Sequence, residues 1–130
     1  MPTTIRTALV ITGAFDPDAI TRALGLTPTR VARVGDSRGG APLLRHTEDQ
    51  WVLVVVDHLA MHIDAELDAL LSILEPVATS FGSTLRSLHA SGQIAFTVRV
   101  AEQQIPSISI EPRQIVSLAN LGLSLDIDII

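Results

Sequence analysis

The chain has no cysteine, no lysine and no tyrosine, and aromatic residues make up only 3% of it. Without cysteine there is neither a disulfide framework nor thiol chemistry, and a reducing, cytoplasmic setting is expected. With so few aromatics the core must be aliphatic, and the stacking platforms that hold single-stranded nucleic acid are missing. All the basic residues are arginine, and a net charge of −5 leaves no cationic excess for phosphate backbones, so no nucleic-acid partner is expected. No uncharged stretch reaches the roughly 20 apolar residues of a membrane helix, and Met1 to Thr12 lacks the charged segment, apolar block and cleavage site of a secretory signal. Neither a membrane span nor a leader is expected. No Pro/Gly/Ser-rich or single-sign stretch marks a linker, so residues 1–130 read as one domain with one core.

What is present is aliphatic. Hydrophobic residues make up 47% of the chain and mean hydropathy is +0.40, against 18% charged residues. A core of this size cannot conceal all of that apolar side chain, and exposed apolar patches mark interfaces. A homodimer is the expected partner state.

Ile5, Thr7, Leu9 and Ile11 alternate with their neighbours and end at Gly13, a first strand. Asp16 then caps a helix, Pro17 takes its first turn and Gly25 stops it behind Ile20, Ala23 and Leu24. Residues 27–50 lose periodicity apart from a short strand near Val31 to Val34, and Gly35, Gly39, Gly40 and Pro42 mark a long loop. Trp51 to Val56 is apolar on both faces, a strand that needs cover on both sides. Leu59, Ile63, Leu67, Leu70, Leu71 and Leu74 recur at helical spacing, with Asp57 as the expected cap and Pro76 as a kink or stop. Leu85 to Leu88 and Gln93 to Ala101 read as strands, Ser109 to Leu121 as a helix stopped by Gly122, and Leu121 to Ile129 as a final alternating strand.

From Trp51 on, this order is the βαββαβ of a ferredoxin-like α+β fold over about residues 51–129, preceded by an extra strand and a short helix. The extra segment, or a second copy of the chain, is the expected cover for the second sheet face.

Four arrangements could carry chemistry. Gly35-Asp-Ser-Arg-Gly39 has the spelling of a nucleophile elbow, but Gly40, Ala41 and Pro42 follow where a helix must begin, so no catalytic residue is assigned there. His58 and His62 stand four apart on the expected helix, and Asp126 and Asp128 two apart on the last strand, each pair a candidate metal set. The bland alternatives are boundary histidines, with Glu66 paired to His62 across one turn, and an acidic pair that solvates a sheet face or accepts hydrogen bonds from Arg99. Arg30, Arg33, Arg38 and Arg45 fall in a segment whose only acid is Asp36. Guanidinium forks there could hold an anion or small ligand, the plainer reading being a solvated loop paired with the acidic body. No cofactor motif is present, and none is expected.

Ile11-Thr-Gly-Ala-Phe-Asp-Pro-Asp-Ala-Ile-Thr-Arg-Ala-Leu-Gly-Leu-Thr-Pro28, the loop pair Gly35-Asp36, Trp51 opening a strand, and Leu121-Gly-Leu-Ser-Leu-Asp-Ile-Asp128 together resemble a family of small bacterial proteins, domain of unknown function 4279. That resemblance implies a fold unit and a bacterial source; it carries no reaction or ligand. A non-enzymatic module acting through self-association and protein contacts, a regulator or a toxin-immunity protein, is therefore the expected function. An anion-binding protein, or a metal enzyme using His58, His62, Asp126 and Asp128, are the alternatives.

Overall fold

The computed structural model describes residues 2–38 and 41–130. Met1, Gly39 and Gly40, and the side chains of Ala41, Pro42, Leu43 and Val56, lie outside what is described. The elements run β1 (Thr4–Gly13), α1 (Pro17–Leu24), β2 (Arg30–Ala32), β3 (Ser37–Arg38), β4 (Ala41–Arg45), β5 (Asp49–Leu59), α2 (Ile63–Leu74), α3 (Ala78–Ser87), β6 (Ala90–Arg99), α4 (Pro112–Leu121) and β7 (Leu123–Ile129). The fold is α+β, with one sheet in the order β2-β5-β1-β6-β7 and a separate β3–β4 hairpin. Among the described strand pairs, only β6–β7 is parallel.

Local signals act where they were read. Asp16 accepts a hydrogen bond from the Asp18 amide, and Gly25 closes α1 in the left-handed conformation at φ 67° that a side chain would resist. Gly122 ends α4 in the same way.

The ferredoxin-like βαββαβ over 51–129 is corrected. Leu85 to Leu88 is not a strand: Phe81 and Leu85, four apart, are both buried on one face of α3, so the apolar spacing there is helical rather than alternating. Pro76 ends α2 in a short 3-10 turn and the helix then resumes as α3. The residues from Trp51 on thus supply only β5, β6 and β7 to the sheet. The first strand is no addition, because β1 runs down the middle between β5 and β6.

The helix after β5 also starts later than its apolar spacing suggests. Asp57, His58 and Leu59 extend β5 against Arg6, Ile5 and Thr4 of β1, and α2 begins at Ile63 with no side-chain cap. The Ser107 carbonyl takes the Ile63 amide at 3.2 Å instead, while the Ser107 amide donates to the Met61 carbonyl at 2.7 Å. A distant backbone segment thus supplies what a capping side chain would.

Ile5, Leu9 and Ile11 of β1, Trp51 of β5 and Ile94, Phe96 and Val98 of β6 form one buried cluster with Ile20 and Leu24 of α1, Ile63 to Leu74 of α2, Phe81 and Leu85 of α3 and Leu118 and Leu121 of α4. All four helices therefore cover the same face of the sheet. The expectation that the extra N-terminal segment covers the second face fails: β1 is inside the sheet, and α1 joins the helical layer through its contacts with α3 and β5. No helix among the described residues is long and apolar enough to cross a membrane.

Candidate functional site

The uncovered sheet face follows from strand register. Positions alternate, so the partners of the core row lie on one side and the intervening residues on the other. Thr4, Arg6, Ala8 and Val10 of β1 stand level with Arg99, Thr97, Ala95 and Gln93 of β6. On the other flank Arg6, Ala8 and Val10 stand level with Asp57, Val54 and Val52 of β5, past a bulge at Thr7/Ala8. Arg30 of β2 is level with Val52, and Asp126 and Asp128 of β7 with Ala95 and Thr97. The middle of this face is small and apolar, with Val52 only 2% and Ala8 6% exposed. Its margins carry the charge.

Two hollows lie along it. One, of about 410 Å³, is lined by Thr4, Arg6, Thr29, Val54, Asp57, Thr97 and Arg99. The other, of about 160 Å³, shares Arg6 and Thr97 and continues over Ala8, Val10, Val52 and Ala95 to Arg30. The strand residues that form this trough occupy the alternate positions opposite the core row, an alternation visible in the sequence. Their convergence depends on β1 lying between β5 and β6, which it does not reveal.

The loop arginines divide. Arg30 and Arg38 share a cleft of about 710 Å³ with Val31, Ser37, Leu44, His46 and Gln50. Arg33 is turned to the start of α1, where it pairs with Asp16 at 3.2 Å and Asp18 at 3.6 Å. Arg45 donates to the Ser37 hydroxyl across the β3–β4 hairpin. That pairing, and the strand on which Ser37 sits, give the Gly-Asp-Ser-Arg segment hairpin geometry rather than the strand-to-helix turn of a nucleophile elbow.

The candidate metal residues are not gathered. His58 is on β5 rather than on a helix, and His62 is the residue before α2, so their four-residue spacing does not align two imidazoles. His58 Nε2 lies 3.0 Å from Glu66 Oε1, so Glu66 partners His58 rather than His62. Asp126 and Asp128 share a face of β7, but neither forms an ion pair among the described residues, with Arg99 or any other group. No three His, Asp or Glu side chains among the described residues stand close enough to hold a metal ion.

Another surface has no charge to recommend it. Arg113 of α4 faces α2, forming two hydrogen bonds of 2.9 Å with the Asp68 carboxylate. Ile115 lies about 200° further round the helix and so faces away from α2. It is 55% exposed, as is Ile129 of β7, the strand on which α4 packs and whose outer edge has no partner strand among the described residues.

No curated protein and no solved structure matches the chain. Residues 3–130 match the model of the family described as Domain of unknown function (DUF4279), nearly the whole length, and the chain belongs to that family.

Proposed function

We propose that this chain is a single non-enzymatic domain that acts through self-association and contacts with other proteins. The observation that carries the reading is exposed aliphatic side chain on α4 and on the strand it packs against, where Ile115 and Ile129 are each more than half exposed. Aliphatic side chain left exposed at the border of a two-layer domain is what a partner removes from water. The contact lies on the helical side of β7. On its other side Asp126 and Asp128 would meet like charges in an edge-to-edge pairing with a second copy, the usual device against open-ended strand addition.

The first partner is a second copy of the chain. A net charge of −5 suits a basic protein as a further partner, as a regulator or toxin-immunity module in a bacterial cytoplasm would require. Light scattering across a micromolar concentration series tests the reading. A mass of twice 13.9 kDa is expected, and a mass of 13.9 kDa throughout the series would refute self-association.

A further inference from the structure

We propose that the trough on the uncovered sheet face binds a small molecule with a carboxylate or phosphate head on a compact apolar body. Arg6 is level with Thr97, and Arg99 with Thr4, so the two arginines are diagonal neighbours on adjacent strands, with Cα atoms about 7–8 Å apart. They line one hollow of about 410 Å³. Neither forms an ion pair among the described residues. Two guanidinium groups that share a concavity repel each other, and an oxyanion between them removes the repulsion while accepting their forked N–H donors.

The neutral groups fit the same ligand. Thr4, Thr29 and Thr97 border the hollow. The Thr29 hydroxyl oxygen already accepts the Val54 amide at 2.8 Å, which leaves its O–H free to donate. Beyond Arg6 and Thr97 the trough passes onto Ala8, Val10, Val52 and Ala95 and ends at Arg30. That floor offers an apolar body a dry seat beside the charged end. Two carboxylates flank the head: Asp57, level with Arg6, and Asp128, level with Thr97. Each could accept from a hydroxyl or amine on the ligand, and both weigh against a doubly charged anion with no donor of its own. Of the loop arginines only Arg30 reaches this trough, and the flank of α4 and β7 lies on the other side of the sheet, so the site stands apart from the association reading.

Titration of the isotope-labelled full chain with acetate, butyrate, hexanoate and inorganic phosphate, followed by amide chemical shifts, tests the proposal. Shifts should centre on Thr4 to Arg6, Thr29 to Arg30 and Thr97 to Arg99. Affinity should rise from acetate to hexanoate by up to about fourfold for each methylene that is buried. Replacing both arginines, R6Q with R99Q, should weaken binding by about tenfold or more, whereas R86Q, on α3 in the helical layer, should not change it. The same map with phosphate but not with the carboxylates assigns a phosphate head to the site. Shifts scattered over the surface, no rise with chain length together with no phosphate map, or equal binding by the R6Q/R99Q protein would overturn it. The map on the unaltered chain decides the matter even where the double variant fails to fold.

Discussion

Thr7 is fully buried in the core-facing row of β1, and its hydroxyl is the only buried side-chain polar atom among the described residues without a hydrogen-bond partner. An unmet hydroxyl in an aliphatic core carries a desolvation cost that an isosteric methyl does not. Thr7→Val should therefore raise stability in urea by about 1 kcal/mol; a lower midpoint would mean that a buried water holds the hydroxyl. Asp49 is the opposite case. One carboxylate oxygen accepts the Phe15 amide at 2.9 Å and the other the Val34 amide at 3.0 Å, so a single side chain ties the entry to α1 and the exit from β2 to the start of β5. Asp49→Ala should cost about 1–3 kcal/mol in the same measurement, and Asp49→Asn, which keeps one acceptor, less. Neither role was legible. A threonine in an alternating strand and an aspartate before an apolar run have the same spelling whether or not their side chains find partners.

Among the elements, α2 and α4 are joined by a polar network inside an otherwise aliphatic layer. Gln114 is fully buried. Its amide donates to the Asp64 carbonyl at 2.8 Å and to Asp68 at 2.9 Å, and its oxygen accepts the Glu111 amide at 2.9 Å in a capping box. Hydrogen bonds from Arg113, and then from Gln114, hold the Asp68 carboxyl below its usual value of 3.8. Because the folded value lies below the unfolded one, this contribution is complete above about pH 4 and is lost as pH falls through the folded value. Asp68→Asn should be less stable than the unaltered chain at neutral pH and should converge on it in acid, which thermal unfolding from pH 7 down to pH 2 would measure. A constant difference across that range would place the loss in packing rather than in charge. Element type was legible where caps were local, as at Asp16, Gly25 and Gly122. It was not at α2, whose first amide is met by Ser107 more than forty residues away, nor at Leu85 to Leu88, a segment of four residues too short for the period alone to tell helix from strand.

At the scale of the whole molecule, the apolar surplus is distributed unevenly. The helical layer conceals the large side chains of β1, β5 and β6, while Ile115 and Ile129 remain outside it. Ile115→Glu combined with Ile129→Glu should shift the chain to a 13.9 kDa particle in light scattering while leaving its melting temperature within a few degrees, since exposed positions contribute little to the fold. Association unchanged by this pair would move the interface elsewhere. The uncovered sheet face offers less to a second copy, because its middle is made of small side chains already shielded and its margins carry arginine and aspartate.

The sequence by itself determined the aliphatic core, both ends of α1, the C-terminal end of α4, the strand periods of β1 and β7, and the mixed α+β class. These rest on residue type and on spacing within one turn or one pleat, which are local quantities. Tertiary structure alone decided that β1 takes the centre of the sheet, that α1 joins the helical layer, and that Arg6, Arg99, Asp57 and three threonines surround one hollow while His58, His62, Asp126 and Asp128 do not meet. Strand order joins residues some ninety positions apart, such as Arg6 and Thr97. Such pairings are set by which faces can be buried together, and no short window of sequence carries that balance.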